Sequence, residues 1–212
     1  MNMETVLSII APVFRSRKAP RLAYIGAANG DRTAFFDSLS AFFTQSGAAG
    51  VDFVRLAREH IDSDAVKKTL TGADLIFFSG GEVEDGINWI KKHGLFDLLR
   101  ELYGKGVQFI GVSAGAIMMG SHWVRWDTPE DDDTAELFEC LGFVPAIFDT
   151  HAEDEDWIEI KTALKLAGVG EQGYGLPRGC IISADSSGNL INIEKEYMTF
   201  INDNGAIVYK RS

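Results

Sequence analysis

Four short apolar runs constrain this chain most. They lie in "RLAYIGAA" (21–28), "VDFVRLA" (51–57), "ADLIFFSGG" (73–81) and "VQFIGVSAG" (107–115), each ends in glycine, alanine or a charge, and stretches of helical period separate them. Runs this short, rich in Val, Ile and Phe and without strict alternation, are strands buried on both faces, and in a parallel sheet helical crossovers return the chain after each one. The intervening segments agree. "DRTAFFDSLSAFFTQSG" (31–47) carries paired aromatics at helical spacing and closes on glycine, and "DSDAVKKTLTGA" (62–73) opens on capping residues. From residue 179 the pattern changes to short strands broken by "SSGN" (186–189) and "NDNG" (202–205), which read as antiparallel hairpins. The expected fold is a doubly wound, mostly parallel α/β sheet with flanking helices and an antiparallel edge near the C-terminus. With 212 residues, no internal repeat and no low-complexity linker, residues 1–212 read as a single domain. The acidic "TPEDDDTAE" (128–136) reads as a solvated loop entering a helix.

The net charge of −11 opposes binding to phosphate backbones and anionic lipid, and no basic patch offsets it. Nucleic-acid and membrane partners are therefore not expected, and the chain is expected as a monomer or homodimer. Cys140 and Cys180 follow no metal-ligand spacing and read as reduced and buried. The first twenty residues lack the basic-then-apolar order of a signal peptide, and no apolar run approaches ~18 residues, so a cytoplasmic location is expected. No cofactor or metal is expected either. Glu82, Glu84, Asp85 and the 130–133 acids offer oxygen ligands, but their spacing fits no calcium loop.

In open α/β sheets ligands gather at the carboxyl ends of the strands. Three loops qualify: "GAANGD" (26–31), "SGGEVEDG" (79–86) and "GVSAG" (111–115). The last matches the nucleophile elbow, in which small neighbours let a strained strand-to-helix turn expose a serine, here Ser113. The competing reading is a small residue in a tight turn. A serine needs a base and preorganised donors for the oxyanion. The amide of Ala114, at the helix start, supplies one donor, and Gly81, after an apolar strand, is the choice for the second. Of four histidines, His93 sits in a last helical turn and reads as satisfying carbonyl ends, His60 as a loop residue among charges, and His122 lies too soon after the elbow helix. His151 emerges from the strand-like "GFVPAIFDT" (142–150) and is the best-placed base. The acid that would orient it is left open among Asp127, Asp149, Glu153 and Asp154, most of them read as solvated.

These residues resemble the peptidase E and cyanophycinase family, serine peptidases on a class I glutamine amidotransferase-like, flavodoxin-like fold. The resemblance rests on Gly80–Gly81, on "GVSAGA" (111–116), on a histidine after a "GF-x-P" stretch and on "GLPRG" (175–179). It implies Ser113 as nucleophile, His151 as base, Asp127 as acid, and Gly81 and Ala114 as oxyanion donors. Amidotransferase relatives carry cysteine at the elbow, where this chain has serine; a larger α/β-hydrolase, the other familiar owner of the elbow, needs more chain than 212 residues. Departures bear on the substrate. "GGEVEDG" replaces the family's usual Asn and small hydroxyl after the paired glycines, placing Glu82, Glu84 and Asp85 with Gly80 at the pocket rim, and "HAEDEDWIEI" (151–160) lacks the usual arginines. Arg178, where relatives often carry an acid, either replaces that positive charge or is simply exposed. The implied activity is hydrolysis of a small peptide or amide through an acyl-enzyme, with an amine or basic group on the substrate. The alternative is a binding protein on the same fold whose pocket has drifted from catalysis.

Overall fold

The computed structural model describes residues 3–128, 132–185 and 187–211. The chain divides into two compact units, one up to Gly115 and one from Ala116 onward. Among the described residues, no helix is long and apolar enough to cross a membrane.

The first unit alternates helix and strand: α1 (Met3–Arg15), β1 (Arg21–Ile25), α2 (Thr33–Gln45), β2 (Gly50–Val54), α3 (Ser63–Thr71), β3 (Leu75–Phe78), α4 (Val83–Lys92), α5 (Phe96–Gly104) and β4 (Gln108–Gly111). The four strands form one parallel sheet in the order β2-β1-β3-β4. The doubly wound parallel sheet with flanking helices is thus observed. Its central strands, β1 and β3, are the ones with uninterrupted apolar sequence: from Leu22 to Ile25 and from Leu75 to Phe78 every residue is buried, because neighbours on both edges and helices on both faces leave no wet side. Tyr24 stacks on Phe77 at 5.5 Å between ring centroids and meets Phe53 edge-on at 5.4 Å, so β1, β2 and β3 share one aromatic layer. α1 contributes Val6, Ile10 and Phe14, four residues apart on one buried stripe. α3 begins as its sequence suggests: Asp62 accepts the Ala65 amide at 2.9 Å.

The chain goes from β1 to one neighbour, β2, and then crosses to the other side for β3. The loops leaving β1 and β3 consequently open a crevice at the switch point. They are tied together: the Glu82 amide donates to the Ala28 carbonyl at 2.7 Å, and Asn29 Nδ2 donates to Ser79 Oγ at 3.1 Å and to the Tyr24 hydroxyl at 3.3 Å.

Helix α6 (Ala114–Met119) follows β4 and leads into the second unit. There β5 (His122–Trp126) pairs antiparallel with β6 (Ala135–Glu139), and β7 (Ile147–Thr150), α7 (Ile158–Ala167) and β8 (Gln172–Leu176) make a β-α-β unit with parallel strands. β11 (Met198–Asp203) and β12 (Ala206–Arg211) extend that sheet antiparallel, in the order β12-β11-β8-β7, while β9 (Ile181–Ala184) and β10 (Leu190–Glu194) form a separate hairpin. The antiparallel C-terminal strands are therefore present as expected. Asn204 and Gly205 both have positive φ, 53° and 92°, as the two-residue turn between β11 and β12 demands. α7 packs Ile160, Ala163 and Leu164 into a core with Val124, Ile147, Trp157 and Phe200.

The acidic stretch at 128–136 differs from its reading. Residues 129–131 lie outside the described residues; Asp132–Thr134 form a short 3-10 turn, and the chain then enters β6 rather than a helix. Ala, Glu and Leu favour helix locally, but residues 135–139 bond to β5 over five paired positions, with Glu136 opposite Arg125 and ion-paired to it. Pairing overrides propensity.

Candidate active site

In the first unit the elbow is built as its sequence requires. β4 ends at Gly111 and α6 starts at Ala114, and Ser113 between them sits in the left-handed region at φ 54°. A non-glycine residue holds that conformation at a cost of about 1–3 kcal/mol, which the surroundings must impose. Three glycines clear the space. A methyl at position 115 would fall 2.4 Å from the Phe78 carbonyl oxygen, one at position 81 would fall 2.0 Å from the Ala28 oxygen, and one at position 80 would sit 3.1 Å from Ser113 Cβ. Gly81 also has φ 141°, open to glycine but not to larger residues without strain. The fold thus brings Ser113, Ala114, Gly80 and Gly81 together at the carboxyl ends of β3 and β4, with Ser113 half-buried. Ala114 opens α6, and the first amides of a helix have no acceptor within it.

The acids after Gly81 have a structural use that the sequence alone left out. Glu82 caps α4 without a side-chain hydrogen bond and is exposed, while Glu84 and Asp85 occupy its first turn, where negative charge favours the helix dipole.

In the second unit β7 delivers His151, exposed and also left-handed, at φ 47°. Its amide donates to the Leu176 carbonyl at 2.8 Å, locking the residue to the end of β8. The segment beyond is constrained throughout: Asp156 and Trp157 have φ 51° and 58°, and the Trp157 amide closes onto the Ala152 carbonyl at 3.1 Å. The Trp157 ring is buried against position 175, where a methyl would come within 2.7 Å of it. Arg178 completes the clasp. Its amide donates to Glu153 Oε1 at 2.7 Å and its guanidinium to Asp154 Oδ2 at 3.2 Å, although the side chain is largely exposed. Asp127 lies just past β5 and is exposed.

The remaining histidines take structural or solvent positions. His93 caps α4, but its Nε2–H donates to the Leu56 carbonyl at 2.9 Å rather than to its own helix end, and its ring stacks on Trp89. His60 is exposed in a loop, and His122 lies in β5 opposite Glu139. Both cysteines are free; Cys140 is buried, whereas Cys180 is only half-buried, contrary to expectation. Partial burial pushes the Cys180 thiol up to about 11 despite nearby Lys195, so it is a poor thiolate. Among the described residues, no group of three or more His, Cys, Asp or Glu could hold a metal ion.

One group escaped the sequence reading. Asp149, two residues before His151, is not a solvated acid but 2% exposed. Thr150 donates its amide to Oδ1 at 2.7 Å, and Oδ2 has no hydrogen-bond partner. Burial, reinforced by the charges of Glu159 and Glu155 and opposed by the amides of Thr150 and Ile160, pushes the carboxyl up to about 7. A carboxyl raised in the folded state stabilises most below its unfolded value near 4, and that stability is lost as pH rises through about 7. Asp149→Asn is expected to remove this dependence, narrowing the stability difference between pH 5 and pH 8 by about 2–4 kcal/mol. Urea unfolding at both pH values checks it, and parallel curves for the two proteins would show the carboxyl is not the source.

A parallel α/β sheet flanked by helices, its fourth strand ending in a strained serine turn, defines the class by its fold. The model of peptidase family S51 matches residues 1–191, and the chain belongs to that family of serine-type peptidases. It is similar to the crystal structure of a peptidase from an acI-B1 actinobacterium, at 15% identity, covering 98% of this chain and 88% of that one with a TM-score of 0.70. It is also similar to a putative peptidase E protein from Listeria monocytogenes EGD-e, at 16% identity, covering 99% and 94% with a TM-score of 0.62. At such identities the likeness is one of fold. No curated protein matches the chain.

Proposed function

We propose that this peptidase cleaves a small peptide or amide through an acyl-enzyme on Ser113, with His151 as general base and Asp127 as the acid that orients it. The observation that carries the reading is the strained φ of 54° at Ser113, sustained by glycines that nothing larger could replace. Strain of this kind persists where a side chain has a task. In the reaction His151 takes the hydroxyl proton as Ser113 Oγ attacks the carbonyl carbon. The tetrahedral oxyanion is met by the amides of Gly81 and Ala114, and the same proton then leaves with the amine. Water repeats the sequence to free the acid.

For the substrate, Glu82 next to Gly81 and the absence of lysine and arginine from 151 to 160 favour a positive group on the ligand. Arg178 is paired with Asp154 at the surface, which lowers its pull on an anionic ligand. A cytoplasmic enzyme acting alone or as a homodimer is consistent with this chemistry.

The test is a panel of dipeptides and aminoacyl amides with acidic, neutral or basic N-terminal residues, together with fluorophosphonate labelling. The expected result is turnover and labelling that vanish in Ser113→Ala and His151→Ala, with basic or free-amine substrates ahead of acidic ones. Equal labelling of wild type and Ser113→Ala would end the proposal, and a preference for acidic N-termini would overturn its substrate part.

A further inference from the structure

The segment that carries His151 is held in an unusual way. Three of its seven residues, His151, Asp156 and Trp157, are left-handed without being glycine. α7 begins immediately after, and no side chain of the segment caps it, since its N-cap residue is Trp157. Two residues before the segment lies the buried Asp149 carboxyl. It takes the Thr150 amide directly before His151, and it faces the first turn of α7, where the Ile160 amide attracts it and Glu159 repels it. Glu159 is itself fixed by the Trp123 indole N–H at 2.6 Å, so it cannot swing clear without breaking that bond. Glu155, in the turn between, adds a second negative charge; opposite Asp149 on β8 stands Gly175, which offers none. A polar side chain this deeply buried with one oxygen unpartnered is expensive unless it serves a purpose.

We propose that Asp149 is a positioning residue for His151: its buried carboxyl joins the end of β7 to the start of α7 and thereby fixes the left-handed segment that presents the imidazole. The inference rests on His151 being the base. In the neutral form the carboxyl accepts the Thr150 amide without opposing Glu159 and Glu155; once ionised it pushes against both, and the start of α7 and the segment loosen together. The protein then loses activity toward alkaline pH for a reason that lies outside the triad.

Asp149→Asn and Asp149→Ala distinguish this from a plain core role. In Asp149→Asn the ratio of kcat at pH 8 to kcat at pH 6 should rise by about tenfold over wild type, because the amide cannot ionise. In Asp149→Ala kcat should fall by about tenfold or more with KM within about threefold, as expected when the base is misplaced and binding is not. Hydrogen exchange of the 150–157 peptide reads the segment without turnover: beyond the intrinsic trend, wild type should open between pH 6 and 8, and Asp149→Asn should not. Identical exchange in the two proteins across that range, or an unchanged pH profile in Asp149→Asn, would overturn the proposal even if Asp149→Ala fails to fold. If instead Ser113→Ala or His151→Ala keeps full turnover, the hydrolase reading falls, and the exchange result still decides whether Asp149 holds the segment.

Discussion

Ser113→Ala should lower kcat/KM by about 10³-fold or more on any substrate that wild type hydrolyses, with little change in KM. The expectation follows from what the hydroxyl does in the proposed reaction: without it no acyl-enzyme forms, and only the binding groups and oxyanion donors remain to accelerate attack by water. A serine that merely completes a turn would cost a few-fold at most. Ser113→Gly separates the two roles further. Glycine takes φ 54° freely, so this variant should be as inactive as the alanine one and yet about 1 kcal/mol more stable than wild type. Higher stability together with lost activity is the mark of strain maintained for function. Steady-state kinetics and thermal melts on both variants check the pair of outcomes, and a Ser113→Gly protein with near-normal turnover would remove the nucleophile from this turn.

Gly81→Ala is expected to destabilise the protein by about 3 kcal/mol or more. Its methyl would meet the Ala28 carbonyl oxygen at 2.0 Å and the Asn29 nitrogen at 2.7 Å, both backbone atoms held by the bonds that tie the β1 and β3 loops together, and φ 141° adds strain of its own. Gly115→Ala should behave alike, since its methyl would lie 2.4 Å from the Phe78 oxygen. Neither loop can retreat without opening the crevice at the switch point. Gly104→Ala is the control: it closes α5, nothing lies within 4 Å of an added methyl, and the change should be neutral or gain up to about 1 kcal/mol. Chemical denaturation of the three variants measures the contrast, and similar stabilities for all three would mean the elbow is not held by these contacts.

Much of the first unit could be read from its residues because burial there is uniform. "LAYI" and "LIFF" are apolar at every position since both faces of β1 and β3 are covered, and the elbow announced itself through small residues that only a close backbone approach requires. Asp62 at a helix start and Asn204–Gly205 at a hairpin likewise act through bonds and dihedrals confined to a few neighbouring residues. The errors share a different cause. Residues 135–139 have helical composition, and it is hydrogen bonding to β5 that makes them a strand. His93 reads as serving its own helix end, whereas its partner, Leu56, is distant in sequence.

Asp149 shows the limit most clearly. Its neighbours in sequence, "IFDTHAEDED", make it one acid among five, and nothing local separates it from Glu153 and Asp154, which stay in water. Covering by α7 and the nearness of Glu159 raise its carboxyl to about 7, and both depend on where a helix ten residues later packs. The sequence alone determined the parallel sheet and the strained serine turn, since covalent geometry and unbroken apolar runs leave few other solutions. Tertiary packing decided which of the many acids is buried and charged at a cost, because solvation is a property of what surrounds a group and not of the group itself.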